Sequence, residues 1–268
     1  MGVNKLFNYI KDVLENQPKN WLNLTTHRLD IYDEKMAKRQ FLEQFETLFN
    51  TNNSTPSALN NLPTAYDYIR LGHPLSCVLE WTVAKLQQLN PENIISFSSG
   101  TAPVLAILRT NLLDHKNTKI LYTGELPDFF DAEVLKSVYG YHFVLEKIET
   151  TANISAFDGS TIFISQHAEF DNIDLNSNID FLVNFQPQFG SVLLVNGAQN
   201  STYISEVQHV RRRETIAMTP DNCLAVLKAI TKLPSSEKNR NLEIHKTKVL
   251  DAIATVTNSS TKAVIGSS

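Results

Sequence analysis

The chain has 268 residues, 42% of them apolar and 19% charged, with a formal net charge of −4. That balance suits a globular protein of one large or two modest domains and offers no basic stripe for nucleic acid or anionic lipid. No run approaches the roughly 18 apolar residues that cross a bilayer. Two cysteines, Cys77 and Cys223, are too few for a disulfide framework or a zinc site. The opening Met1-Gly2-Val3-Asn4-Lys5-Leu6 lacks the hydroxyl residue of a myristoylation signal, and no secretory apolar segment follows. The expected location is the cytoplasm, without direct insertion into a membrane.

Leu6, Ile10, Val13 and Leu14 fall on one face of a first helix that stops near Pro18. Asp33 is placed to cap a second helix, whose apolar face is Met36, Phe41, Leu42, Phe45, Leu48 and Phe49. A stripe so rich in phenylalanine predicts either docking on the rest of the chain or a partner. The polar stretch from Asn50 to Ser57 reads as a linker. From about residue 63 the pattern becomes α/β. A helix follows Pro74, with Leu75, Val78, Leu79, Leu86 and Leu89 as its apolar side. Strands are predicted at 94–97, 119–122, 141–148, 161–165 and 192–195, with a shorter one at 215–218. Helices are predicted around Val104–Leu112, Phe129–Val138 (closed by Gly140), Leu224–Ile230 and Leu242–Val256.

Strands alternating with helices of about 10–15 residues predict an α/β fold with a mostly parallel, doubly wound sheet. The expected organisation is a helical extension and linker at 1–62, an α/β domain at 63–257 and a flexible tail at 258–268, with no room for a full C-terminal small domain.

Ser98-Ser99-Gly100-Thr101 lies between a predicted strand and a helix opening with Pro103. Backbone N–H groups at such a turn favour an anion, and hydroxyl residues there are equally the ordinary helix caps. The succession "IISFSSGT" at 94–101, "TIFIS" at 161–165, "VLLVNGAQ" at 192–199 and "TIAMTPDN" at 215–222 resembles the pyridoxal-phosphate enzymes of fold type I, in the class V aminotransferase and cysteine desulfurase branch. The resemblance spans about residues 63–232 and implies a role for each matching position. Gly100 and Thr101 stand at the phosphate turn, and Gln199 at the glutamine that meets the ring oxygen. Asn196 stands where the family has the aspartate that holds the pyridine nitrogen protonated. Thr219 stands at a serine, Asp221 at a histidine and Asn222 at the Schiff-base lysine. Without that amine no internal aldimine forms, and Asp221 would repel a bound phosphate. No histidine follows the strand ending at Tyr122 to stack on a ring. The resemblance therefore implies vestigial positions, no catalytic residue and no bound cofactor.

The remaining residues add little chemistry. His167 and Asp171 follow a strand but have no second histidine at ligand spacing. Arg211-Arg212-Arg213 reads as a solvated turn beside Glu214. His73 reads as a turn residue before Pro74, and Cys223 as a half-buried helix residue. His27, His115, His142, His209 and His245 show no sequence partners. The expected function is a pseudoenzyme that serves as a scaffold or adaptor bound to other protein subunits and not to nucleic acid. A bacterial machine such as a type IV secretion coupling complex is one setting for it, though no residue names it. The alternatives are a protein binding pyridoxal phosphate or a phosphorylated metabolite at Gly100 and Thr101, and half of a heteromeric enzyme whose partner chain supplies the lysine.

Overall fold

The structure is a computed structural model, in which residues 2–24, 34–63, 65–66, 68–127, 130–152, 154–166, 170, 175, 177–234 and 242–257 are described. Helix α1 (Val3–Asn16) forms where Leu6, Tyr9, Ile10, Val13 and Leu14 share a buried face. Helix α2 (Glu34–Asn50) buries Phe41, Phe45 and Phe49 completely. Asp33 and the side chain of Met36 lie outside the described residues. The expected linker folds as a turn and a short helix, α3 (Pro56–Asn60), capped by the Thr55 hydroxyl.

Helix α4 (Pro74–Gln87) carries Trp81, on which the phenylalanine stripe converges. Phe45 and Phe49 meet its ring edge-to-face at 5.1 and 5.2 Å, and Tyr9 meets Phe49 at 5.1 Å. The stripe is thus covered by the chain itself, so it supplies no surface that needs a partner.

The sheet contains β1 (Ile94–Phe97), β2 (Thr118–Tyr122), β3 (Val144–Lys147), β4 (Ser160–Ser165), β5 (Phe181–Gln186) and β6 (Gly190–Val195), in the order β1-β6-β5-β4-β2-β3. Five strands run one way and β6 alone runs against them. The remaining helices are α5 (Ala102–Leu113), α6 (Ala132–Ser137), α7 (Ser201–Glu214) and α8 (Pro220–Ile230). One face of the sheet (Leu121, Phe163, Leu182, Val192, Leu194) packs on α1, α2, α4 and α8. The other (Ile120, Ile162, Val183, Leu193, Val195) packs on α5, α6 and α7. Burial on both faces is why these strands are continuously apolar rather than alternating, and the α/β, mostly parallel class is as expected.

Three local expectations change. β5, with the hairpin that joins it to β6, and α7 were not foreseen, whereas the segment 215–218 is no strand. The latter makes single bonds on either side, Ser98 N to Ile216 O (3.1 Å) and Ala217 N to Ile69 O (3.1 Å), rather than a ladder. Met1–Leu233 is one compact unit and Pro234–Ser268 another. In the second, α9 (Leu242–Thr257) exposes Val249, Ile253 and Val256.

Candidate functional site at the sheet edge

Parallel strands of an α/β sheet place ligands beyond their C-terminal ends. Here that edge, from β1 to β5, is built by the turn Ser98–Thr101, the hairpin Pro187–Phe189 and the segment Thr215–Asn222. Ser191 Oγ donates to Ser99 O at 2.6 Å, and Asn222 Nδ2 donates to Phe189 O at 3.1 Å. These bonds hold the three pieces together. Ser99 Oγ accepts from Ala102 N at 3.2 Å, while the N–H groups of Gly100 and Thr101 meet no acceptor among the described residues.

The other two predicted positions are elsewhere. Because β6 is antiparallel, its end carries Asn196 and Gln199 to the opposite edge of the sheet. Six strand residues, about 20 Å, separate them from the Gly100 turn. Asn196 there ties the strand end to the start of β5: its N–H donates to Asp180 O at 2.8 Å and its Nδ2 to Ile179 O at 2.7 Å. Gln199 is exposed, folded over Gly197, whose φ of +77° suits glycine. The roles that the resemblance implied for Asn196 and Gln199 are therefore corrected.

The segment at 219–222 also has a simpler reading. Thr219 Oγ1 accepts from Asn222 N at 3.4 Å and caps α8, Pro220 takes the first helical position, and Asp221 sits in the first turn. A carboxylate there complements the helix dipole. Asn222 thus lies inside a helix rather than at a strand end.

The positions that the resemblance implied do not come together as one pyridoxal-phosphate site. The positions implied for the ring, Asn196 and Gln199, lie at the edge opposite the phosphate turn at Gly100 and Thr101, and the hairpin closes tightly on β1. A Cβ built on Gly190 would lie 2.0 Å from Phe97 O. None of Ser98–Thr101, Gln186–Gly190 or Thr215–Asn222 is a lysine. His167 and Asp171 fall outside the described residues, as does His27. No family model and no curated protein matches the sequence.

Solved structures that resemble the chain include the MetB protein of Corynebacterium glutamicum (12% identity, TM-score 0.45), yeast cystathionine γ-lyase (12%, 0.49) and cystathionine γ-lyase of Lactobacillus plantarum complexed with L-serine (10%, 0.48). Each alignment covers 84% of this chain and 63–64% of the other, so the chain spans under two thirds of their length.

Directly beneath the Ser98 turn lies a buried ionic cluster that the sequence did not announce. Glu80 Oε2 accepts from Lys38 Nζ at 2.6 Å, and Oε1 accepts from Arg211 Nη1 at 3.0 Å, Ser96 N at 2.9 Å and Ser96 Oγ at 2.8 Å. Burial alone would raise the Glu80 carboxyl, but Lys38 and Arg211 more than offset it and hold it below its ordinary range. Lys38 also donates to Pro91 O (2.8 Å) and Ile94 O (3.4 Å), and Arg211 to Ser96 O (3.2 Å) and Leu71 O (2.8 Å). The cluster thereby satisfies the backbone groups on the outer side of β1, an edge strand. Arg211 is buried, against the reading of its triplet as a solvated turn, while Arg212 and Arg213 are exposed.

His73 is likewise more than a turn residue. Its Nδ1 accepts from Ser76 N at 3.2 Å, capping α4, and its Nε2 donates to Met218 O at 2.7 Å. Burial pushes its pKa down to about 4, so it is neutral, which the Nδ1 acceptor role requires. Cys77 and Cys223 are both fully buried. Burial pushes the Cys77 thiol up to about 12 and raises Cys223 well above its usual range, so neither is a nucleophile. Among the described residues no group of three metal-ligating side chains occurs.

Proposed function

We propose that the chain is a non-catalytic scaffold or adaptor subunit, built on a sheet of the kind that pyridoxal-phosphate enzymes use. One observation carries this reading. The edge where such a sheet would do chemistry is assembled from Ser98–Thr101, the β5–β6 hairpin and Thr215–Asn222, none of which supplies an amine. An aldehyde cofactor is anchored by a primary amine, and amide and hydroxyl side chains do not replace it. Lys147 stands at the same edge, but at the end of β3 and ion-paired with Glu125 at 2.7 Å. Five inter-strand steps, about 24 Å, separate it from β1. A fold retained without its chemistry serves by what it holds.

Two measurements test the proposal. Purified protein is titrated with pyridoxal phosphate, reduced with borohydride and mapped by mass spectrometry. The expected result is no stoichiometric pyridoxyl adduct on any single lysine, and one such site with an aldimine absorbance band overturns the reading. The adaptor role is tested by size-exclusion of native extract. The chain should elute with defined partners, well above its own 30.2 kDa, and elution as a free monomer would contradict it.

A further inference from the structure

The two edges of the sheet are treated differently. At β1, Ile94 O, Ser96 N and Ser96 O are each met by a buried side chain of the Lys38–Glu80–Arg211 cluster. At β3 nothing comparable is present among the described residues. Ile148 N donates to Tyr122 O at 2.9 Å, so alternation along the parallel ladder turns the N–H and C=O of Leu145 and Lys147 away from β2. Those groups meet no partner among the described residues. A bare row of donors and acceptors is a template for an added strand.

The surroundings of this edge say what kind of strand. A groove of about 630 Å³ wraps the N-terminal end of β3 and is lined by Tyr141, Phe143, Val144 and Phe157. Its lining includes Lys136 and His142 and no carboxylate. Lys136 Nζ stands 5.0 Å over the Phe143 ring, and Lys119 Nζ stands 4.9 Å over Phe157. The groove is therefore aromatic and cationic in a chain whose net charge is −4. Val144 is 55% exposed, and beside the groove Tyr139 is 57% exposed. Glu146 points by strand alternation to the same face as Val144 and away from the Leu145 face. We propose that the β3 edge and this groove bind an extended segment of a partner protein, in which carboxylates alternate with apolar side chains. The backbone of the segment continues the sheet, its carboxylates face Lys136, and its apolar side chains cover Val144. This inference does not rest on the non-catalytic reading, since an active enzyme could carry the same edge.

The test is fluorescence anisotropy with the full chain and two fluorescein-labelled nine-residue peptides, one alternating glutamate with valine and one alternating lysine with valine. The acidic peptide should bind with a Kd on the order of tens of micromolar and weaken several-fold when salt rises from about 50 to 300 mM. The basic peptide should not bind. Leu145→Pro removes an outward N–H without touching a bond to β2, and it should weaken binding at least tenfold. Lys136→Glu should do the same and admit the basic peptide. If Leu145→Pro fails to fold, Lys136→Glu and amide exchange decide: the Leu145 and Lys147 amides should gain protection when the acidic peptide is added. Equal affinity for both peptides, indifference to Lys136→Glu, or no binding at all overturns the proposal.

Discussion

Glu80 is the single anion between two buried cations, and Glu80→Gln is the sharpest test of how the β1 edge is held. The side chains of Glu80, Lys38 and Arg211 are 2%, 6% and 5% exposed, so water does not replace a lost partner. With the carboxylate gone, an ammonium and a guanidinium face one amide, whose NH₂ group would also point a donor at a donor. Removing one partner from a buried pair costs about 3–5 kcal/mol, a large part of the roughly 5–15 kcal/mol that a domain has in total. Lys38→Met differs in kind. It leaves the net-neutral Glu80–Arg211 pair but takes the donor from Glu80 Oε2 along with the bonds to Pro91 O and Ile94 O, so about 1–3 kcal/mol is expected. Combining the two should cost less than Glu80→Gln alone, because Lys38→Met removes one of the stranded cations. Urea unfolding gives all three values from the midpoint at constant slope. A Glu80→Gln midpoint shift worth less than about 1 kcal/mol, or simple additivity in the double variant, refutes the argument that the cluster is one interdependent unit. The pH profile gives a second reading. The folded Glu80 pKa is depressed, so its contribution is present above the ordinary carboxylate range and is lost as pH falls through the folded value. Glu80→Gln should flatten that acid limb.

Further predictions follow from other contacts. The unfolded His73 takes up its proton near pH 6.5 but the folded one only near 4, so stability should fall by up to about 3 kcal/mol across that window as pH drops. His73→Asn keeps an N-cap oxygen for Ser76 N and should remove that slope, and an unchanged profile in urea melts at stepped pH would contradict the assignment. Gly190→Ala should cost about 2–4 kcal/mol, since φ is +123° and the new methyl meets Phe97 O; a thermal melt within a degree or two of the parent would show that the hairpin is slack. Trp81→Ala should cost about 3–5 kcal/mol because it empties the centre of the Tyr9–Phe45–Phe49 cluster and removes the donor that Trp81 Nε1 gives Glu46 at 2.7 Å, leaving Glu46 its pair with Lys85. A shift below about 1 kcal/mol would mean that α2 packs loosely.

Much of the fold was legible because it follows from local rules. The Leu6–Leu14 face, Pro74 and Pro220 at first helical positions, and the apolar runs at β1, β2, β4 and β6 each carry their own signal. Helix α7 was not, since its apolar buried face is only Tyr203, Val207 and Val210 among polar neighbours, and its arginines, buried Arg211 included, read as surface. Nor could the ionic cluster be read from spacing. Lys38 lies 42 residues from Glu80, and Arg211 lies 131 residues away, so only the packing of α2, α4 and α7 around β1 brings them together. His73 hides for the same reason, as its second partner, Met218 O, is 145 residues distant.

Asn196 stands at the far edge because β6 runs antiparallel to its neighbours, and the sequence before it encodes that direction. Read for apolar continuity, Phe181–Gln186 passes for loop, because Asn184 and Gln186 interrupt it. Read for period two, Phe181, Val183 and Phe185 alternate with Leu182, Asn184 and Gln186, which is a strand. The run is followed by Pro187-Gln188-Phe189-Gly190, and Gln186 pairs with Gly190 across that turn. A connection this short joins only antiparallel neighbours, since a parallel crossover needs roughly a dozen residues or more. Once β5 is recognised, β6 must run backwards, and its last residues must emerge at the edge away from Gly100. The chemistry that the motif "VLLVNGAQ" suggests is therefore set by the direction of its strand, which the six residues before Pro187 decide.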